Sequence, residues 1–191
     1  MANAPSTGRE AIRTRQLEQL RALLSTVRPA NSFYESKLGA ARIDKTISSL
    51  EEFSACCPFT TKNELASDQQ ANAPFGTNLT FPLEQYNRIH QTSGTSGKPL
   101  RWLDTPESWQ SMLESWKLVF RAAGVTKTDR TLFAFSFGPF IGFWTAFEAA
   151  TQMGCLCFPG GGLASATRLR ILMENEVTIL CCTPTYALRL A

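Results

Sequence analysis

The sequence predicts an α/β fold, with a mainly parallel sheet flanked by helices over residues 86–191 and a helical segment over residues 1–85. In the first segment, apolar residues such as Leu17, Leu20 and Leu24 recur at helical spacing. In the second, short apolar runs alternate with amphipathic helical patterns. Such alternation is typical of a parallel sheet covered by helices.

Local signals divide the first segment into short helices. Thr7 and Glu10 have the spacing of a capping box, and Pro29 is expected to end the first helix. Thr61 is placed to cap a later helical turn. Further helices are predicted over residues 33–41 and 47–53. Residues 66–85 are polar and rich in Asn, Pro and Gly, which favours a loop.

The second segment begins with two strand candidates on either side of a glycine-rich stretch. Thr105, Pro106 and Glu107 then form a strong helix start, and Gly124 is expected to end that helix. The predicted strands are residues 87–91, 100–103, 131–135, 155–158 and 177–181. The further predicted helices are residues 144–153 and 165–175.

Composition excludes several classes of protein. The chain has 191 residues, a net charge of +3 and 43% hydrophobic residues, which predicts a globular protein that does not bind nucleic acid. No apolar stretch approaches the roughly 18 residues of a membrane span. The first residues lack the apolar core of a secretory signal. We therefore expect no membrane partner and a cytoplasmic location.

The cysteines are expected to be free thiols in a reduced compartment. They are Cys56, Cys57, Cys155, Cys157, Cys181 and Cys182. None has the C-x-x-C spacing typical of zinc or dithiol redox sites, so small buried hydrophobes are favoured over a metal site.

Residues 92–99 have the chemistry of a polyphosphate cradle. Glycines let consecutive backbone N–H groups converge on an anion, hydroxyls add donors, and a lysine supplies positive charge. The candidate phosphate-binding residues are Thr92, Ser93, Gly94, Thr95, Ser96, Gly97 and Lys98. The spacing is neither that of the Walker loop nor that of the dinucleotide fingerprint. A flexible surface turn is the alternative interpretation.

This loop and several other segments together resemble the phenylacetate–coenzyme A ligase family of adenylate-forming (AMP-binding) enzymes. The segments are residues 31–34, 58–65, 88–90, 92–99, 121–124 and 183–188, in the family's order. The resemblance runs from about Leu17 to the end of the chain. It implies the N-terminal part of such an enzyme, with the phosphate loop in an α/β subdomain over residues 86–191.

The resemblance implies a two-step reaction that uses ATP, Mg²⁺ and coenzyme A. A small carboxylic acid, aromatic or apolar, would attack the α-phosphate of ATP, and the thiol of coenzyme A would then displace AMP. The loop would hold the β- and γ-phosphates by positioning and charge stabilisation. The family's catalytic lysine and other nucleotide motifs are expected beyond residue 191. The subdomain is therefore expected to be incomplete at its C-terminal end, and the chain alone to be inactive.

A run of aromatic residues and glycines forms the candidate wall of the acyl pocket. The candidates are Phe135, Phe137, Gly138, Phe140 and Tyr186. Tyr186 follows a predicted strand, at the edge where open parallel sheets bind ligands. Ordinary core packing is the alternative for the aromatic residues.

Two other functions are left open by the sequence. One is a nucleotide- or phosphate-binding module without catalysis, and the other is a structural or oligomerisation unit. A homodimer is a candidate assembly of the chain, whichever function it has. His90 is the single histidine. A structural hydrogen-bonding role is favoured for it over the role of a general base. Glu148, Arg168 and Arg170 are expected on solvent-exposed helix faces.

Overall fold

Four α-helices and a 3₁₀ turn form the first part of the chain in the computed structural model, which describes residues 8–43, 46–94 and 98–191. The chain divides into two compact units, Met1–Gln85 and Tyr86–Ala191. The elements of the first unit are α1 (Arg9–Ala30), α2 (Ser32–Ala40), α3 (Leu50–Cys56), α4 (Lys62–Ala71) and the 3₁₀ turn Leu83–Gln85.

The core of the first unit forms where α1 and α2 pack together. Leu24, Leu38, Ile43 and Ile47 are buried there. Asn31 joins the two helices, since its backbone N–H donates to Val27 O at the end of α1 while its side chain accepts from Tyr34 N at the start of α2. The helices therefore meet at a single residue that ends one and begins the other.

The boundaries of these helices differ from the predictions at several places. The helix predicted over residues 47–53 is α3, which runs from Leu50 to Cys56. Pro29 lies inside α1, because a proline in the last turn removes only one intrahelical hydrogen bond. The N-cap of α1 is Gly8, and Thr7 lies outside the described residues. The capping box of Thr61 is confirmed, but α4 continues to Ala71 and so occupies part of the predicted loop.

The second unit consists of a two-stranded antiparallel arm and a three-stranded parallel sheet with helices. Its elements are β1 (Arg88–Gln91), β2 (Arg101–Asp104), α5 (Pro106–Ala122), β3 (Arg130–Phe133), α6 (Ile141–Gln152), β4 (Leu156–Pro159), α7 (Ser165–Glu174), β5 (Ile179–Cys181) and α8 (Pro184–Leu190). Strands β1 and β2 pair antiparallel, whereas β4, β3 and β5 lie side by side in that order and are parallel. The predicted fold class is confirmed, and the arm is a sheet of its own.

The core of the second unit lies between α5, α6 and the parallel sheet. Trp109 and Leu113 of α5 are buried there with Phe133 of β3 and Ala149 of α6. The helix α5 starts as predicted with a capping box. The side chain of Thr105 accepts a hydrogen bond from Ser108 N, and the side chain of Ser108 accepts one from Thr105 N. Within the described residues, no helix has the length and hydropathy needed to cross a membrane.

All six cysteines are free thiols in environments that differ in accessibility. We expect iodoacetamide to modify Cys56 first and Cys181 last in the native protein. Cys56 is exposed, whereas burial raises the pKa of the Cys181 thiol to about 11, and the thiolate is the form that reacts. Timed labelling followed by peptide mass spectrometry measures the order.

The control is a denatured, unreduced sample, which should bind six equivalents of reagent. Equal labelling rates for Cys56 and Cys181, or fewer than six equivalents after denaturation, would contradict this prediction.

Candidate phosphate loop and apolar cavity

The glycine-rich loop connects β1 to β2, the two strands of the arm. Its two ends are closed by a pair of contacts: Thr92 N donates to Leu100 O at 3.0 Å, and Leu100 N donates to Thr92 Oγ1 at 3.1 Å. Thr92 therefore has a structural role at the base of the loop, in addition to its predicted role toward phosphate.

Three further candidate phosphate-binding residues of the loop are among the described residues: Ser93, Gly94 and Lys98. Gly94 has a φ of 70°, in the left-handed region that favours glycine. Ser93 and Lys98 are exposed. Thr95, Ser96 and Gly97 lie outside the described residues. Phosphate binding by the loop remains a prediction.

A cavity of about 390 Å³ lies beside the base of the loop. Its lining residues are Gln91, Thr92, Phe140, Ile141, Gly142 and Phe143. The cavity is largely open to solvent, and its volume is within the range of small-molecule sites. Gln91 N donates to Pro139 O at 2.9 Å, which fixes the loop before α6 against the end of β1. The first turn of α6 thus forms one wall, and the base of the glycine loop forms the other.

The structure separates the predicted acyl-pocket residues into two groups. Phe140 lines the cavity. Phe135 lies behind the wall and stacks on Phe143 at 4.3 Å between ring centroids. Phe137 contacts Trp144 and lies edge-on to Phe147. The aromatic residues therefore divide between the pocket-wall and the core-packing interpretations. Phe140 lines a cavity, whereas Phe135 and Phe137 pack against other aromatic rings.

Gly138 has a positional reason to be glycine. Its φ is 46°, and a β-carbon there would come within 3.3 Å of the Phe140 ring. Its carbonyl accepts from Trp144 Nε1 at 2.8 Å. Gly138 thus allows the turn that places Phe140 at the cavity, although Gly138 does not itself line the cavity.

The predicted site residues did not include four of the lining residues: Gln91, Ile141, Gly142 and Phe143. The predicted start of this helix was residue 144, whereas α6 begins at Ile141. Pro139, close to the observed start, was the available signal, because proline is common just before or within a first helical turn.

Tyr186 does not line this cavity; it lies in a polar cluster beside the end of β4. Its hydroxyl pairs with Ser165 Oγ at 3.0 Å, a contact that lowers the pKa of the Tyr186 phenol. The Arg168 guanidinium lies 4.9 Å from the Tyr186 ring centroid. The acyl-pocket role of Tyr186 remains a prediction.

The prediction for Arg168 was wrong, whereas Arg170 is exposed as expected. Arg168 is only 8% exposed, and its Nε donates to Gly160 O at 2.9 Å. Burial is tolerated because the charge has both a carbonyl and an aromatic face as partners.

Glu148 was also expected in solvent and instead joins the arm to α6. Its carboxylate accepts from both terminal nitrogens of Arg88, each at 3.0 Å, and from Trp109 Nε1 at 2.7 Å. The Arg88 guanidinium also lies 4.3 Å from the centroid of the Trp109 ring.

His90 is buried against the same tryptophan. It is 6% exposed and stacks on Trp109 with ring centroids 5.0 Å apart and planes 6° apart. Its Nδ1 lies 3.6 Å from Asp104 Oδ2, and neither atom has a hydrogen-bond partner among the described residues. Burial lowers the pKa of His90, although the nearby Asp104 carboxylate opposes that effect. Burial and stacking support a structural role for His90, but its Nδ1 does not make, with any described residue, the hydrogen bond that the sequence interpretation expected.

We expect the protein to lose stability as the pH falls below 6.5, the reference pKa of histidine. The folded state has the lower His90 pKa, so the unfolded chain binds more protons in the range just below 6.5 and is favoured by acid. The slope can reach about 1.4 kcal/mol per pH unit for one proton. Urea unfolding between pH 5.5 and 7.5 measures it.

The matched variant is His90→Asn, which removes the single histidine of the chain and should flatten this part of the profile. A slope that survives in His90→Asn, or a wild-type stability that rises on acidification, would disprove the assignment.

Comparison with known proteins identifies relatives over most of the chain. The chain is 32% identical over 189 residues to a phenylacetate–coenzyme A ligase from Pseudomonas putida, and the match covers 95% of this chain and 40% of the relative. A phenylacetate–coenzyme A ligase from Thermus thermophilus is 29% identical over 184 residues, covering 96% and 40%. No protein-family model matches the chain.

A solved structure supports the same relationship. The chain superposes on a 2-hydroxyisobutyryl-CoA ligase, crystallised with 2-HIB-AMP and CoA, with a TM-score of 0.89 and 25% identity. The match covers 97% of this chain and 40% of that ligase. The chain thus spans about 40% of the length of these relatives.

The parallel sheet, its separate arm with a glycine loop, and these matches define the chain as part of an adenylate-forming ligase fold. Within that class, the chain is similar to phenylacetate–coenzyme A ligases over most of its own length.

Proposed function

We propose that this chain is the part of an ATP-dependent acyl-CoA ligase that holds the phosphates of ATP and one side of the acid pocket. The observation that carries the proposal is the position of Thr92, which closes the glycine loop and also lines the apolar cavity. An anion held by the loop and an acid held in the cavity would therefore be neighbours, as a reaction between them requires.

The lining of the cavity favours an aromatic or apolar acid. Phe140, Ile141 and Phe143 supply apolar surface, while Gln91 and Thr92 place polar groups on the side of the loop. An acid bound with its hydrocarbon part against α6 would direct its carboxylate toward the loop. Burial of the apolar part contributes roughly 25 cal/mol per Å² removed from water.

The loop residues fit a polyphosphate. Backbone N–H groups near Gly94, the hydroxyl of Ser93 and the ammonium of Lys98 would bind phosphate oxygens and stabilise the charge that develops as pyrophosphate leaves. The carboxylate would form a bond to the α-phosphorus, and the thiol of coenzyme A would later replace AMP at the acyl carbon. Adenylation is needed because a free carboxylate has no adequate leaving group.

Magnesium would not be held by these residues alone. In the ranges that the structure describes, no group of three or more His, Cys, Asp or Glu side chains is placed to bind a metal ion. We propose that Mg²⁺ enters with the phosphates of ATP, which is its usual mode of binding in nucleotide sites. A cytoplasmic location and a homodimer are further parts of the proposal, and size-exclusion chromatography tests the dimer.

A chimera tests the proposed activity. Residues 1–191 would be joined to the remaining part of the Pseudomonas putida relative and assayed for pyrophosphate release with phenylacetate and with longer apolar acids. We expect acid-dependent release from the chimera and none from the chain alone. ATP binding by the chain together with an inactive chimera would favour a phosphate-binding module without catalysis. No ATP binding and no activity would refute the proposal.

Replacing Lys98 by alanine in the chimera should lower kcat/KM for ATP by about ten- to a hundred-fold. A charged hydrogen bond to phosphate is worth roughly 1.5–3 kcal/mol, which corresponds to a loss of that size. Lys98 is exposed, so the melting temperature should stay unchanged. Steady-state kinetics at subsaturating ATP measures the effect.

Lys127→Ala is the matched control, because Lys127 is an exposed lysine away from the loop sequence. Equal kcat/KM values for Lys98→Ala and Lys127→Ala would show that the loop charge has no role with ATP.

A further inference from the structure

Three side chains connect the arm that carries the glycine loop to the helices behind it. Arg88 of β1 makes two hydrogen bonds to the Glu148 carboxylate of α6, and Trp109 of α5 makes a third. We call these three residues the Glu148 bracket. The Arg88 and Glu148 side chains are 35% and 26% exposed, so water screens the pair only partly. Two parallel contacts between a guanidinium and a carboxylate also fix direction as well as distance.

The Glu148 bracket contacts only one face of β1. Arg88 and His90 are two residues apart, so their side chains leave the strand on the same face, and both contact the Trp109 ring. Ile89, on the opposite face, is 53% exposed. One face of β1 is therefore attached to α5 and α6, while the other faces solvent.

The arm depends on such side-chain contacts for its position. In the part of the chain that the structure describes, β1 and β2 pair with each other and not with the parallel sheet. Ladder hydrogen bonds therefore do not fix the arm against the sheet. Beyond the bracket, the backbone contact from Gln91 N to Pro139 O attaches the end of β1 to the loop before α6.

Arg88 is close in sequence to the glycine loop, and Glu148 is on the helix that lines the cavity. Thr92, the first residue of the glycine loop, lies four positions after Arg88. Glu148 lies on the same helix as Ile141 and Phe143, which line the cavity. Glu148 and Trp109 do not line the cavity themselves, so a contact with the acid does not explain their arrangement.

We propose that Arg88, Trp109 and Glu148 are positioning residues, which hold the end of β1 and Thr92, where the glycine loop begins, in register with the apolar cavity. The identity of what the loop and cavity bind rests on the proposed function, but the positioning itself does not. Loss of the bracket should loosen the arm locally and weaken ATP binding, while the parallel sheet keeps its stability.

The test uses the 191-residue chain with three variants: Glu148→Ala, Glu148→Gln and Arg88→Lys. Amide hydrogen exchange is followed at Gln91 and Thr92 of the arm and at Leu132 and Phe133 of β3. In Glu148→Ala we expect exchange at the arm amides to rise by about ten-fold or more while the β3 amides stay as in wild type. The Kd for ATP should rise with the arm exchange.

Conservative replacement gives the second readout. The amide oxygen of Glu148→Gln can still accept a hydrogen bond, so this variant should lie between wild type and Glu148→Ala. Arg88→Lys keeps the charge but loses the paired geometry and should also be intermediate. Glu174→Gln removes an exposed carboxylate of α7 and should match wild type in every measurement.

Each outcome decides the inference. Unchanged arm exchange in Glu148→Ala, or an equal rise at arm and β3 amides, overturns it, because the bracket would then be dispensable or only a general stabiliser. If Glu148→Ala does not fold, the same criteria apply to the two conservative variants, and failure of all three to fold overturns it too. If the wild-type chain binds no ATP, the proposal that this chain holds the phosphates of ATP fails. The hydrogen-exchange pattern still tests whether the Glu148 bracket positions the arm.

Discussion

Replacing Phe133 by alanine should lower the free energy of unfolding of the second unit by about 3 to 5 kcal/mol, the range for large aromatic residues removed from a core. Phe133 has no solvent exposure and lies on β3, which pairs with a strand on each side. Its ring meets those of Phe135 and Phe147 edge-on, with centroids 5.9 and 5.2 Å apart. Urea unfolding monitored by circular dichroism measures the loss.

Such a loss would be a large part of the roughly 5–15 kcal/mol that stabilises a typical domain, so partial unfolding of the second unit at 37 °C is an expected consequence. Leu118→Ala, at an apolar position that is 64% exposed on α5, is the control and should change stability by less than about 0.5 kcal/mol. Similar values for the two variants would show that Phe133 is not the centre of this core.

The Gly160→Ala variant is the second strong test, because it adds one carbon where the backbone leaves no room. A β-carbon at Gly160 would lie 2.7 Å from Phe133 O and 3.1 Å from Leu132 Cδ1. The same glycine donates its N–H to Phe133 O and accepts from Arg168 Nε, so it cannot move without weakening both contacts. We expect a loss of about 1–3 kcal/mol, as for other overpacked sites.

Gly142→Ala supplies the contrast, since a β-carbon there would meet nothing within 4 Å. Gly142 lies in α6, where alanine is favoured by about 0.8–1 kcal/mol, so this variant should be neutral or more stable than wild type. A Gly160→Ala protein that unfolds at the wild-type urea concentration would contradict the close approach of β3 and residue 160.

The sequence predicted the start of a helix well where a capping residue within the same few residues determines it. The Thr61 and Thr105 caps act within three residues of themselves, and both begin helices as expected. The end of α4 was missed because residues 66–71 are polar, and polarity alone does not separate an exposed helix from a loop. Thr77 contributes a cause from outside that window: its N–H and hydroxyl each donate to the Asp68 carboxylate at 2.7 Å.

The failures at Glu148 and Arg168 have one physical origin. Glu148 is held by Arg88, 60 residues earlier in the chain, and Arg168 by the carbonyl of Gly160 in the turn before its helix. A buried charge is stable only with its partners, and helical periodicity within one segment contains no information about partners elsewhere. Sequence position therefore predicts a solvent face for both residues, and tertiary contacts override it.

The candidate site shows the same limit. The composition of residues 92–99 was sufficient to predict a connection between two strands, whereas its binding of phosphate remains a prediction. The cavity beside it was less predictable, because which of Phe135, Phe137 and Phe140 faces open space depends on the turn at Gly138 and the early start of α6. A family resemblance could identify the segment, but the division between lining and supporting rings required coordinates.

The order of the parallel strands has a consequence for the behaviour of the chain in concentrated solution. In the ranges described here, β3 is the only strand of that sheet with a neighbour on both sides, and β4 and β5 each pair on one side. Leu156 of β4 is 58% exposed. An open strand edge with apolar side chains can pair with another molecule and start aggregation. Solubility should therefore decrease steeply with concentration, and a lysine placed at Leu156 should delay the onset of light scattering.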